Sequence, residues 1–147
     1  MYTTPLPPHL ITPQHTMHWY ILQNGKARPA TIQEAEQQLA DINTRRIDHT
    51  TITHDCLVST IFLVLDHNMS GKGPPILFET LIFGGPHDGT MWRSSALGQA
   101  KKIHWEIVDS LRAGQPPNPS LGEEIWIWKM LREMFEEQEQ PQDENQN

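Results

Sequence analysis

The apolar positions of this chain follow two patterns, and each predicts a different kind of element. Residues 57–65, LVSTIFLVL, are apolar on both faces and rich in β-branched and aromatic side chains. That pattern predicts a central strand. Residues 76–83, ILFETLIF, repeat the character with one acid, Glu79, in the middle, and predict its antiparallel partner. Farther along, Ala100, Ile103, Ile107, Val108 and Leu111 recur at helical spacing. Ser94 or Ser95 can cap that helix, and Gly114 followed by Pro116-Pro117 stops it. A last amphipathic stretch opens on a capping box, Ser120 with Glu123. It carries Ile125, Trp128, Leu131 and Phe135 on one stripe, widened by Trp126, Ile127, Met130 and Met134.

Shorter signals fill the gaps. His18–Leu22 reads as a short strand closed by the turn dipeptide Asn24-Gly25. Thr31 and Glu34 form another capping box. The helix it opens places Ala35, Leu39 and Ile42 on one face and ends near Arg45-Arg46. Residues 47–53 have strand composition, His54-Asp55 is a turn, and residues 91–93 add a short strand after a glycine-rich loop. The expected fold is α+β: an antiparallel sheet of about four or five strands with two or three helices packed on one face. Residues 1–16 read as a flexible N-terminal arm and 17–137 as a single domain. Residues 138–147 read as a disordered acidic tail. No internal repeat is present.

Charge narrows the choice of partner. The 147 residues carry a net charge of −7, but residues 123–147 hold eight acids against two bases. The remaining body is near neutral, so no broad basic face for duplex DNA is expected. No apolar run reaches the length of a membrane span, and no signal-peptide pattern opens the chain. The lone Cys56 has no partner for an internal disulfide, which suits a reducing cytoplasm.

The chemistry concentrates between the two long apolar runs. The first ends in Asp66-His67-Asn68, and a loop rich in glycine and proline, Ser70-Gly71-Lys72-Gly73-Pro74-Pro75, leads to the second. A hairpin closed near residues 70–71 pairs Leu65 with Ile76 and Phe62 with Glu79. Glu79 then sits inside the sheet, where a carboxylate requires a partner or a raised pKa. Arg45, Arg46, Arg93, His104 or a backbone turn are the candidate partners. Two readings follow. In one, Asp66, His67, Glu79 and His104 converge as acid and base, with Asp66, His67 and His104 as candidate metal ligands. In the other, Asp66 caps a turn, His67 lies at the surface and Glu79 makes a structural ion pair. No HExxH, paired Cys/His set, P-loop or GxSxG motif is present. Independently, the exposed amides of Gly71 and Gly73 with Lys72, Arg45, Arg46 and Arg93 can ring an anion, with Trp92 stacking a base.

Three blocks, VSTIFLVLDHN, GKGPPILFETLIFGGP and WRSSALGQAKKIHWEIV, resemble a group of small proteins encoded by tailed bacteriophages and prophages. The matching positions are Arg45, Arg46, Ser59, Thr60, Asp66, His67, Gly73, Pro74, Pro75, Glu79, Thr80 and His104, within residues 19–112. The chain departs from that group at Ser94-Ser95-Ala96-Leu97. The resemblance implies a phage origin, and hence a host-cell cytoplasm, but brings no mechanism or cofactor with it. The leading expectation is a phage accessory protein that binds an anionic small molecule, such as a host immune-signalling nucleotide. The alternatives are a metal-dependent or acid/base hydrolase built on Asp66, His67, Glu79 and His104, and a module that binds a protein partner or a second copy through residues 120–137.

Overall fold

The computed structural model describes residues 18–122. The expected arm (1–16), last helix (125–135) and tail (138–147) lie outside them. The chain opens with a hairpin, β1 (Tyr20–Gln23) and β2 (Lys26–Pro29), turned at Asn24 and Gly25, both at positive φ. Asn-Gly suits such a turn because both residues tolerate the left-handed region. The helical stretch that follows is broken at Asp41 into α1 (Ile32–Ala40) and a single turn, α2 (Ile42–Arg45). Thr31 and Glu34 form the expected capping box on α1. Asp41 ends the first piece and caps the second by accepting from the Asn43 amide. Its short side chain competes for backbone donors, which is why the stretch does not run through.

The main sheet is a meander, β3 (Arg46–Thr53), β4 (Cys56–Phe62), β5 (Phe78–Phe83) and β6 (Met91–Ser94), antiparallel throughout. The long helix α3 (Leu97–Arg112) packs across it. The α+β architecture is therefore the one expected, divided into a four-stranded and a two-stranded sheet. The N-cap of α3 is Ala96, which makes no side-chain cap bond, so neither Ser94 nor Ser95 has that role. Ser94 instead ends β6 and is buried.

The hairpin register differs from the expected one by a single residue. Ile61 pairs with Glu79 and Phe62 with Phe78. The reason lies just beyond Phe62. The Leu63 amide still bonds to the Leu77 carbonyl, but the chain then changes partner. The Tyr20 amide donates to Val64 O, the Asp66 amide donates to His18 O, and Trp19 bridges Leu65. The apolar run 57–65 thus belongs to two ladders, and at the switch Val64 takes φ 71° while fully buried. A β-branched residue there is strained, and dense packing around it holds the conformation. Because side chains alternate along a strand, the one-residue difference changes which face Glu79 occupies.

The inward face of the sheet carries Val58, Thr60, Phe62, Phe78, Thr80, Ile82 and Trp92, all buried. Two apolar clusters form beneath α3. Ile103, Ile107 and Val108 pack on Val58, Ile82 and Trp92. Ala100 joins Ala35, Phe62, Val64, Leu77 and Phe78, with Trp19, Tyr20 and Leu22 alongside. The β1–β2 hairpin and α1 therefore pack on the same side as α3.

Candidate functional site

The loop from Asp66 to Pro75 is a built structure, tied together by two short side chains. Asp66 Oδ1 accepts from the amides of Asn68 (2.7 Å) and Ile76 (2.9 Å), which pins both ends of the loop. Asn68 Nδ2 donates to the carbonyls of Lys72 (2.7 Å) and Pro74 (2.8 Å), and its Oδ1 accepts from the Ser70 amide. Ser70 Oγ donates to Lys72 O as well. These bonds turn the loop carbonyls inward. Gly71 and Gly73 take positive φ of 71° and 78°, and the Lys72 side chain stands exposed between them. Sequence reasoning saw Asn68 only as a polar residue at a strand end. Its organising role depends on contacts to residues 70, 72 and 74 that no local pattern announces.

Of the expected anion-binding set, the loop residues Gly71, Lys72 and Gly73 follow the end of β4, and Arg45 lies toward the same end of the sheet. Arg45 Nε donates to the carbonyl of Phe62 (3.0 Å), the last residue of β4 before the chain turns toward the loop. Arg46 is exposed one row further in, on the outward face of β3. Arg93 lies across the sheet, in the same cross-strand row as Arg46, Ile61 and Glu79. Three strand spacings separate the two arginines, about 14 Å. Arg93 Nε is bonded to Glu79 Oε2 at 3.1 Å. Trp92 does not join this set. It points inward, is 3 % exposed and donates its indole N–H to Asn118 O (2.9 Å), so it has no free face on which to stack a base.

The convergence of Asp66, His67, Glu79 and His104 is not what the structure builds. Glu79 lies on the outward face of the sheet beside Arg93, whereas His104 lies on the inward face under α3. Asp66 is occupied with loop amides, and His67 Nδ1 bonds to the Leu65 carbonyl (2.7 Å). Among the described residues, no group of three His, Cys, Asp or Glu side chains could hold a metal ion. The one-residue register difference is the physical cause for Glu79. Opposite Ile61 it shares the outward face with Arg93, while opposite Phe62 it would have pointed into the core.

His104 has a different setting. It is fully buried, and both ring nitrogens are bonded to threonine hydroxyls: Nδ1 to Thr60 and Nε2 to Thr50, each at 2.8 Å. Thr60 bonds in turn to Thr80 at 2.7 Å. A neutral imidazole offers one donor and one acceptor, and a hydroxyl can serve as either, so the chain of four is fully satisfied. Burial holds the His104 pKa below its usual 6.5, partly offset by Asp48, with His49 adding to the depression. Asp48 occupies the same cross-strand row as Thr60 and has one buried carboxylate oxygen with no partner among the described residues.

This burial gives stability a pH dependence of definite sign. The folded state binds the His104 proton more weakly than the unfolded state, so protonation favours unfolding. We expect the contribution to be intact above pH 6.5 and to be lost as pH falls from there toward the lower folded-state value. Urea unfolding of the full chain between pH 5 and 8 checks this. The decline should be absent from the profile of a His104→Gln variant, and an identical profile in both proteins would place its origin elsewhere.

At the far end of the sheet an open groove of about 340 Å³ is lined by Cys56, His54, Leu57 and Phe83 among others. Burial, together with the charges of Asp55 and Asp88, pushes the Cys56 thiol above its usual pKa. A thiol shifted in this direction is a weaker source of the reactive thiolate. No helix among the described residues is long and apolar enough to cross a membrane. Searches of protein-family models, curated proteins and solved structures find no match to this chain.

Proposed function

We propose that this protein is a binding protein whose Asp66–Pro75 loop, with Arg45, receives an anionic small molecule. The observation that carries the reading is the loop's internal bonding. Asn68 and Ser70 draw the carbonyls of Lys72 and Pro74 inward. The Lys72 ammonium and the glycine amides are left at the rim. Gly71 and Gly73 donate to no backbone carbonyl among the described residues. A preformed loop of this kind loses little entropy on binding an anion, and backbone amides with one lysine and one arginine suit phosphate oxygens. Arg46 lies at the margin of this end and adds positive potential. The phage origin that the resemblance implies, rather than any residue, suggests the first candidate ligand: an immune-signalling nucleotide of the host. Sequestering such a molecule would serve the phage in the host cytoplasm without any chemical step.

The test is calorimetric titration of the full chain with pyrophosphate and with a cyclic dinucleotide. We expect micromolar binding of the nucleotide and weaker binding of pyrophosphate. Combining Lys72→Ala with Arg45→Ala should weaken binding at least about tenfold, since each charge-assisted bond contributes about 1.5–3 kcal/mol. Thermal melting confirms that the variant folds. Unchanged micromolar affinity in the double variant would remove this loop as the site.

A further inference from the structure

We propose that the loop between Asp66 and Pro74 binds a hard divalent cation, Ca²⁺ in preference to Mg²⁺, on its inward oxygens. The first support is spacing. Asp66, Asn68 and Ser70 place side-chain oxygens at alternate positions, Gly71 follows, and Lys72 then turns its carbonyl inward. Calcium loops use the same order: oxygen side chains at the first, third and fifth positions, a glycine at the sixth for a sharp turn, and a backbone carbonyl at the seventh. Gly71 makes that turn at φ 71°. A site of this kind does not depend on a cluster of His, Cys, Asp and Glu, since hard cations also take amide, hydroxyl and carbonyl oxygens.

The second support is convergence. The carbonyls of Lys72 and Pro74 both accept from one nitrogen, Asn68 Nδ2, at 2.7 and 2.8 Å. Ser70 Oγ lies 2.9 Å from the same Lys72 oxygen. Carbonyl oxygens gather only around a positive group, and here the partly positive amide NH₂ has that place. Calcium–oxygen distances are about 2.3–2.6 Å, so a calcium ion suits the same gathering with small backbone movement. A primary amide carries an acceptor oxygen beside its NH₂. Rotating the Asn68 amide withdraws the donor and turns Oδ1 toward the ion. Asp66 brings negative charge and fixes the frame, because its Oδ1 holds the amides of Asn68 and Ile76. Residues 69–74 are exposed, which leaves the ion a path of entry.

A single carboxylate sets the affinity. The twelfth position, which supplies a bidentate acid in tight calcium loops, is Leu77, and it is buried in the core. Affinity follows the charge of the ligand set, so the expected dissociation constant is about 1 mM, at the weak end of the calcium range. Mg²⁺ demands a compact octahedron and sheds water reluctantly, so it binds this loop less well. The Lys72 ammonium opposes a cation, but its exposure to water weakens that repulsion. The cation site is independent of the anion reading: it uses the inward oxygens, whereas an anion uses the rim amides and Lys72.

The test titrates the full chain with Ca²⁺ alone, after removal of bound metal by a chelator, and follows backbone amides by NMR. We expect saturating shifts at Asn68, Ser70, Gly71, Lys72 and Gly73, and a weaker response to Mg²⁺. Asn68→Ala removes a ligand and should weaken binding at least about tenfold, since losing even an outer partner of a metal ligand costs about 10–100-fold. Ser70→Ala is a second ligand deletion that leaves the Asn68 bonds to the Lys72 and Pro74 carbonyls in place, and it should weaken binding in the same direction. Lys72→Ala removes only a repelling charge and should tighten Ca²⁺ binding, the opposite of its expected effect on an anion. Thermal melting confirms that each variant folds. Loop shifts that are absent, that fail to saturate, or that persist unchanged in both ligand deletions would overturn the proposal. Shifts confined to the acid-rich residues 123–147 would overturn it as well, by placing the ion there.

Discussion

Replacing His104 with alanine is expected to destabilise the folded chain by about 3 kcal/mol. Two effects add. Removing the ring leaves a cavity between α3 and the sheet, and large-to-small core changes of this kind cost about 2–5 kcal/mol. The hydroxyls of Thr50 and Thr60 also lose their imidazole partner. Thr60 keeps its bond to Thr80, but Thr50 must find another acceptor or donor at a partly buried position. Each orphaned group adds about 1 kcal/mol or more. Urea unfolding of the full chain at pH 7.5 gives the number, with the denaturant slope confirming that the unfolded state is comparable. A loss below 1 kcal/mol would mean that His104 does not fill the helix–sheet interface. Because His104 is kept by packing rather than by a ligand, the variant should bind any anion at the loop as the parent does, once folded.

Gly84→Ala should be at least as damaging, for a reason that no side-chain contact reveals. Gly84 follows the last residue of β5 with φ 82°, and its backbone passes directly against the β3–β4 turn. A Cβ there would lie 1.7 Å from the Asp55 carbonyl oxygen and 2.9 Å from its carbon. Both are backbone atoms of the turn that joins β3 to β4, so neither can swing aside as a side chain could. We expect a loss of more than about 3 kcal/mol, from left-handed strain together with displacement of the turn. Gly89 provides the control. It has the same φ of 82° but open space where its Cβ would stand. Gly89→Ala should therefore show the conformational cost alone, about 1–2 kcal/mol. Equal effects at the two positions would show that the close approach to Asp55 is not maintained in solution.

These expectations separate what holds the fold from what a ligand would use. The inward face of the sheet contains the histidine–threonine chain and both apolar clusters. The loop end carries Lys72 and Arg45, which contribute little to the core. The Glu79–Arg93 pair is mostly buried, with side chains 14 % and 20 % accessible, so removing one partner would leave the other's charge uncompensated, away from the loop. Variants at the loop can therefore test binding without unfolding the protein, and variants at His104 can test stability without touching the loop.

Much of this was legible in the sequence because local physics decides it. The capping box at Thr31 and Glu34, the Asn-Gly turn and the apolar stripe of α3 appear where composition places them. His104 faces the sheet because it follows Ile103 on the apolar side of that helix. The polar loop between two apolar runs identified the region that Asn68 and Asp66 organise. Tertiary structure alone decided the rest. Residues 64–66 leave β5 to pair with residues 18–20, and this exchange of partner sets the hairpin register. The register puts Glu79 outward and the threonines inward, which separates two residues that pattern alone placed together. The same arrangement buries Trp92 against Asn118. A strand's side chains alternate with a period of two, so a single residue of slip exchanges its faces, and only the competition between long-range partners fixes that slip.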